Sequence, residues 1–160
     1  MNVYKQYNQQ QLNDQYNTRL QVPDYADYFD RWEKLSRQTA EQDTILKDIS
    51  FGAHPDELLD IFPSNIPHSK TLVFIHGGFW HLLDKTMFHF LAGHFLKYNV
   101  TTVLINYPLA PKSSIHDIVT SCRKALRWLH DNIIRYNGDP AELYLLGHSA
   151  GGHLGPARPG

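Results

Sequence analysis

Two short glycine-rich motifs contain the side chains best suited to chemistry. One of them is Gly147-His148-Ser149-Ala150-Gly151, which fits the pattern G-x-S-x-G. A serine at the tip of a tight strand-to-helix turn presents its hydroxyl, and the flanking glycines let the strand and the helix approach without a Cβ clash. The pattern therefore predicts a nucleophile at Ser149. A glycine-rich turn can also close a βα unit or hold a phosphate, so this motif alone leaves those alternatives open.

The second motif lies earlier in the chain and is His76-Gly77-Gly78-Phe79-Trp80. Backbone N–H groups at two adjacent glycines can face a tetrahedral oxyanion, which side chains would otherwise obstruct. Such a loop forms an oxyanion hole together with the amide that follows a nucleophilic serine. The two motifs in this order therefore predict acyl transfer to a serine.

Both motifs follow apolar runs that have the length of a buried strand. These runs cover residues 71–75 and 143–146, and a third run covers 101–105. Continuous apolar runs of this length are typical of strands buried on both faces of a parallel sheet. Helical periodicity over 87–96 and 115–133 separates the runs, which gives the order strand, helix, strand, helix, strand. We therefore predict an α/β fold with a mainly parallel sheet and flanking helices.

The first part of the chain is predicted to be a helical arm followed by a further strand. A patch rich in Gln, Asn and Tyr over 7–17 favours a solvated arm or a surface helix. From Pro23 onwards a helix is predicted to pack on the main body. Its apolar residues recur at helical spacing, at Tyr25, Tyr28, Phe29, Trp32 and Leu35. Alternation over 45–51 permits a strand, and 62–67 is predicted to be a turn or loop.

The two motifs resemble those of the α/β-hydrolase superfamily, and their detailed form resembles the carboxylesterase and arylformamidase (kynurenine formamidase) branch. The similarity extends to Asn106-Tyr107-Pro108-Leu109-Ala110-Pro111 and to Asn137-Gly138-Asp139-Pro140. The family pattern often has Asp at the position of Asn106, a departure expected to alter hydrogen bonding in the loop.

The resemblance implies a serine hydrolase that cuts an ester or an aryl-formamide through an acyl-enzyme. It implies Ser149 as the nucleophile, and it implies oxyanion donors at the backbone amides of Gly77, Gly78 and Ala150. Phe79 and Trp80 would line the substrate pocket, although core aromatics under a loop are the alternative. A small-molecule substrate is expected, with no cofactor and no metal.

The rest of the triad is missing from this sequence. In this fold the acid and the histidine follow the serine in the chain, but only eleven residues follow Ser149 and none is Asp or Glu. His153 is interpreted as a packing residue on the helix that follows the serine. We therefore expect a truncated chain, inactive by itself, with an arm and helix at 1–42, the N-terminal part of an α/β-hydrolase domain at 43–154, and a non-native-looking or linker-like tail at 155–160.

Composition limits the rival classes. Fifteen Lys and Arg against sixteen Asp and Glu give a formal net charge of −1, which offers no electrostatic support for a nucleic-acid or membrane partner. A single cysteine, Cys122, and no visible signal segment predict a cytoplasmic protein. The alternatives are a non-catalytic fragment or pseudoenzyme acting as an interaction module, and a nucleotide-binding domain, against which the absence of a phosphate-loop motif argues.

Overall fold

The computed structural model describes residues 1–155 as a five-stranded sheet with helices on both faces. The strands are β1 (Leu46–Ser50), β2 (Leu58–Phe62), β3 (Ser69–Ile75), β4 (Thr101–Ile105) and β5 (Gly138–Gly147). The helices are α1 (Gln9–Tyr16), α2 (Tyr25–Gln42), α3 (Phe90–Phe95), α4 (Ile115–Asn132) and α5 (Ala150–Leu154). Short 3-10 helices cover Thr18–Gln21, Lys85–Phe88, Leu96–Tyr98 and Ile133–Tyr136. The predicted α/β class is confirmed.

The sheet has the strand order β1-β2-β4-β3-β5. β3 lies between β4 and β5 and is parallel to both, so the three predicted apolar strands form the parallel part. β1 and β2 extend the sheet as antiparallel strands, which makes the whole sheet mixed. The sequence did not predict β2, because Asp60 interrupts its apolar run; Phe62, expected in a loop, is its last residue.

Alternating side chains of the parallel strands fill two separate cores. On one face, Val73 and Ile75 of β3 pack with apolar residues of α4, and all of them are buried. Four residues of α4 at helical spacing supply the other half of this core: Ile118, Cys122, Ala125 and Leu129. On the opposite face, Phe74 packs with Phe88 and with Trp32 of α2. The predicted packing of the N-terminal helix on the main body is thus observed at Trp32.

Two predicted helical segments differ in detail from the structure. The segment 87–96 is divided into a 3-10 turn, the short helix α3 and a second 3-10 turn. Its first turn is held by side-chain bonds, since Asp84 caps Thr86 and the Lys85 side chain is pulled into the interior. The Gln/Asn-rich patch forms the exposed helix α1, as one of its two predicted alternatives stated. Most of the predicted tail, residues 156–160, lies outside the described residues.

The parallel arrangement brings the two glycine motifs to one edge of the sheet. Ile75, the last residue of β3, pairs with Gly147, the last residue of β5. The His76 loop and the Ser149 turn therefore begin side by side at the carboxyl ends of neighbouring strands. β5 pairs with β3 alone among the strands of residues 1–155. Tyr144, Leu145 and Leu146 of β5 are accordingly between 39% and 49% exposed.

Candidate active site

Ser149 lies in a sharply turned backbone between β5 and α5. Its φ of 53° and ψ of −116° are unusual for a residue with a side chain, and such strain is found at functional turns. Two neighbouring glycines make the turn possible. A Cβ on Gly147 would lie 2.4 Å from the carbonyl oxygen of Gly151, and a Cβ on Gly151 would lie 2.0 Å from that of Ile75. Both positions therefore exclude any side chain.

The loop after β3 touches the Ser149 turn directly. A Cβ on Gly77 would lie 2.8 Å from the carbonyl oxygen of His148 and 3.1 Å from Cβ of Ser149. Gly78 has a φ of 111°, and a Cβ there would lie 2.1 Å from the carbonyl oxygen of Leu82. Glycine is therefore required at both positions. At Gly77 the reason is the close approach to the Ser149 turn, and at Gly78 the left-handed backbone is a second reason besides close approach.

Three backbone amides at this junction have no hydrogen-bond acceptor within the part of the chain that the structure describes. They belong to Gly77, Gly78 and Ala150. The next amides along α5 are bonded, since Gly151 donates to the carbonyl of His148 and Gly152 donates to that of Ser149. The structure thus brings together Ser149 and the three amides that the sequence singled out. N–H groups without a partner near a serine can donate hydrogen bonds to a negatively charged oxygen.

The buried side chain of His76 holds the start of the loop in place. Its side chain is 1% exposed, and its Nδ1 lies 2.7 Å from the carbonyl oxygen of Gly77, which assigns the ring proton to Nδ1. Burial lowers the pKa of His76, so the ring is neutral at physiological pH. The ring stacks on Tyr107 at 4.4 Å between centroids, and the Tyr107 hydroxyl donates to the His76 carbonyl. These contacts fix the start of the loop.

The far end of the loop is fastened by Asn106. Its side-chain nitrogen donates to Asp84 at 2.6 Å, and its side-chain oxygen accepts from the backbone N–H of Lys85 at 2.8 Å. An amide can donate and accept at once, whereas the carboxylate that the family pattern often has here only accepts. A carboxylate at this position could accept from Lys85 but could not donate to Asp84, so the bond to Asp84 depends on the amide of Asn106.

No proton acceptor for Ser149 is found within residues 1–155, where its hydroxyl has no hydrogen bond to a histidine or a carboxylate. His153 contacts the Trp80 ring edge-on, with the centroids 5.4 Å apart. The neighbouring His148 packs its ring against Trp32 and Phe88 at about 6 Å. Both histidines therefore make packing contacts.

A pocket of about 360 Å³ opens beside Ser149, His148 and Gly78. Phe79, Leu82 and Leu83 of the loop line one side, and the other side is formed by aromatic residues of α2, namely Tyr25, Tyr28, Phe29 and Trp32. The structure brings Phe79 to the pocket but not Trp80, whose indole packs against the core under α4. The hydrophobic spacing of α2 predicts a surface that packs on the main body, and it gives no signal that the same aromatic residues form a pocket wall.

Comparison with known proteins places these features in a family. Residues 59–157, which include both glycine motifs, match the model of the BD-FAE family. The chain belongs to the BD-FAE family. The matched residues begin inside β2 and include β3 to β5 and the Ser149 turn, and they leave out α1, α2 and β1.

Relatives of this BD-FAE chain carry hydrolase names. Kynurenine formamidase of Danio rerio is 32% identical over 111 residues, which are 68% of this chain and 36% of that protein. A probable isoprenylcysteine alpha-carbonyl methylesterase of Arabidopsis thaliana is 28% identical over 69% of this chain and 26% of that protein. The chain thus spans about a third of the length of these curated relatives or less.

Solved structures show the same fold. A putative thioesterase from Silicibacter sp. has a TM-score of 0.77 and 28% identity over 88% of this chain and 52% of that one. Esterase B from Lactobacillus rhamnosis has a TM-score of 0.67 and 19% identity over 82% of this chain and 44% of its own. This BD-FAE chain is an esterase- and formamidase-like member of the α/β-hydrolase superfamily.

No helix within residues 1–155 is long and apolar enough to cross a membrane. No group of three or more His, Cys, Asp or Glu side chains in the described part of the chain could hold a metal ion.

Proposed function

We propose that the protein is a serine hydrolase in which Ser149 attacks the carbonyl carbon of a carboxylic ester or an aryl-formamide. The observation that carries this proposal is the junction of Ser149 with Gly77, where a strained serine meets three amides without acceptors. The backbone N–H groups of Gly77, Gly78 and Ala150 would stabilise the oxyanion. Each such donor accounts for a factor of about 100 to 1,000 in turnover in hydrolases where it has been removed.

The proposed reaction passes through an acyl-enzyme. The Ser149 oxygen bonds to the carbonyl carbon while a histidine takes the hydroxyl proton, and the same proton then goes to the leaving alcohol or amine. Water then attacks the acyl carbon while the histidine takes one of its protons, and that proton returns to the Ser149 oxygen as the acyl–oxygen bond breaks and the acid leaves. Since residues 1–155 offer Ser149 no base, we propose that the Asp and His of the triad belong to a part of the protein beyond these 160 residues. The short coverage of the relatives supports this proposal.

The substrate is proposed to be a small molecule with an apolar or aromatic group beside its scissile bond. The aromatic residues of α2 and Phe79 support this, because flat rings favour edge and face contacts with an aromatic partner. The names of the relatives, a formamidase and a methylesterase, support the two bond types. We further propose that residues 43–154 are the partial hydrolase domain and that residues 1–42 contribute the pocket wall.

A second candidate is a non-catalytic interaction module. It is favoured by one observation, the lack of a base for Ser149 within the described residues. In that case the 160-residue chain and any longer form would both lack serine-dependent turnover. The two candidates therefore differ in what a longer form does.

Turnover of p-nitrophenyl acetate by the full-length protein that contains this chain tests the proposal. We expect measurable turnover that the Ser149→Ala variant loses, and none from the 160-residue chain, which retains at most the residual acceleration of binding and the oxyanion site. Ser113→Ala, in the loop before α4, is the matched serine control and should leave turnover unchanged. Equal turnover in Ser149→Ala and the unchanged protein would overturn the assignment, and no turnover in the unchanged protein would favour the interaction module.

A further inference from the structure

A cluster of buried charges lies under the end of the His76 loop and takes no part in the proposed reaction. We call it the anchor cluster and define it as Asp48, Asp60, Lys85 and His89. Asp60 and the side chains of Lys85 and His89 are all less than 5% exposed. Only the Asp48 carboxylate reaches the surface, with 62% of its side chain exposed.

Asp60 is the centre of the anchor cluster. One of its oxygens lies 2.7 Å from Nε2 of His89, and the other lies 3.2 Å from Nζ of Lys85. The latter oxygen also accepts the backbone N–H of Asp48 at 2.8 Å. The Lys85 ammonium makes a second ion pair with Asp48 at 2.7 Å. Every member is therefore bonded to at least one other.

The charges in this cluster are maintained by their partners. Burial by itself would raise the pKa of Asp60, but the bonds from His89 and the Asp48 amide and the charge of Lys85 hold that pKa below its ordinary value. Burial would lower the pKa of Lys85, yet Asp48 and Asp60 raise it. A buried ion pair of this kind is often no more stabilising than apolar residues of the same volume, so its specific effect is on geometry.

The geometry that the cluster controls is the position of the loop. Lys85 follows the loop directly, and the loop contains three residues with side chains in the left-handed region: Phe79, Trp80 and Leu83. Such conformations persist only where the surroundings hold them. The loop itself has few internal bonds, chiefly those from the His81 and Leu82 amides to the carbonyl of Gly78.

We propose that the anchor cluster is a positioning device, in which Lys85, drawn into the interior by Asp60 and Asp48, holds the loop so that Gly77 and Gly78 stay against the Ser149 turn. His76 fixes the loop at its start, and Lys85 with Asn106 fixes it at its end. Lys85 is thus a positioning residue that acts through the loop backbone. The role of the Gly77 and Gly78 amides in the reaction rests on the proposed function. The anchoring of the loop does not depend on that function.

Amide hydrogen exchange measured by NMR on the full-length protein that contains this chain tests the anchoring without substrate. In Lys85→Met the amides of His81 and Leu82 should exchange about ten-fold faster, because the loop opens locally, while those of Cys122 and Leu129 in α4 should keep their rates. The matched control is Lys47→Met, an exposed lysine on the same strand as Asp48, and it should change neither set.

Two results would overturn the inference: unchanged exchange at His81 and Leu82, or an equal acceleration in the loop and in α4, which would show a general loss of stability. If Lys85→Met does not fold, the same exchange experiment is done on Asp48→Asn. Asn tolerates the left-handed backbone found at Asp48, and the substitution removes the ion pair between Asp48 and Lys85. We expect about a two- to three-fold acceleration confined to the loop in that variant. Loop opening in Lys85→Met, together with a Ser149 that is unreactive in the unchanged full-length protein, would contradict the proposed function alone.

Discussion

The Ser149 turn and the loop at 76–83 lie side by side, yet different contacts hold them. The turn is shaped by its own glycines, since Gly147 and Gly151 meet backbone atoms at distances that no Cβ tolerates. The loop is held by side chains outside it: Lys85 lies two positions beyond its last residue, and Asn106 and Tyr107 lie 23 and 24 positions beyond it. The residues that permit the turn therefore lie within one short motif packed against the end of β3, whereas the loop depends on side chains from other parts of the chain.

Alanine substitutions at two neighbouring glycines, Gly151 and Gly152, should give the largest difference in stability and test the account of the Ser149 turn. Gly151→Ala would place Cβ 2.0 Å from the Ile75 carbonyl oxygen, so we expect the free energy of unfolding to fall by about 3 kcal/mol or more. In Gly152→Ala the nearest atom to Cβ is 3.5 Å away, and alanine favours helix by up to about 1 kcal/mol. Urea unfolding measures both. Equal losses in the two variants would contradict the local account of the turn.

The oxyanion role of the loop at 76–83 is tested by Gly78→Val in the full-length protein. Valine cannot adopt the φ of 111° and would collide with Leu82, so we expect kcat on p-nitrophenyl acetate to fall about 100-fold with little change in KM. Phe79→Ala is the control from the same loop, because it removes pocket surface and should raise KM more than it lowers kcat. A rise in KM alone in Gly78→Val would count against the oxyanion role of the loop.

A smaller effect is expected at the pocket wall that α2 provides. Tyr28 is 50% exposed and lines the pocket, so Tyr28→Ala should leave folding intact. We expect kcat/KM for a phenyl ester to fall about 5- to 10-fold, while a methyl ester is nearly unaffected. Leu35→Ala, on the same helix and away from this pocket, is the matched control. Equal effects on both esters would show that α2 is packing surface and not a substrate contact.

The smallest change concerns the edge strand β5. Its exposed apolar side chains predict self-association of the 160-residue chain, and a charge at the strand edge should reduce it. Leu145→Lys should therefore lower the apparent mass in light scattering at equal concentration, whereas the control Leu20→Lys, which adds the same charge at an exposed leucine outside the sheet, should leave it unchanged. A monodisperse monomer before any substitution would contradict the prediction.

The contrast between the Ser149 turn and the loop at 76–83 also explains which features the sequence alone could predict. The three parallel strands were predicted because each is a continuous apolar run, and the Ser149 turn because its glycines are adjacent in the chain. β2 was missed because Asp60, a buried carboxylate, interrupts its pattern, and the anchor cluster was missed because its ion pairs join residues up to 37 positions apart. Pairwise charge contacts of that range leave no periodic signal in a single sequence.

The most direct test of the central claim is covalent labelling of the full-length protein by a fluorophosphonate, followed by mass spectrometry of its peptides. The reagent phosphonylates a serine only where that serine is activated and an oxyanion site receives the phosphoryl oxygen. We predict a single adduct on the peptide that contains Ser149, lost in Ser149→Ala and strongly reduced in Gly78→Val. Labelling of another serine, or undiminished labelling in Ser149→Ala, would contradict the account.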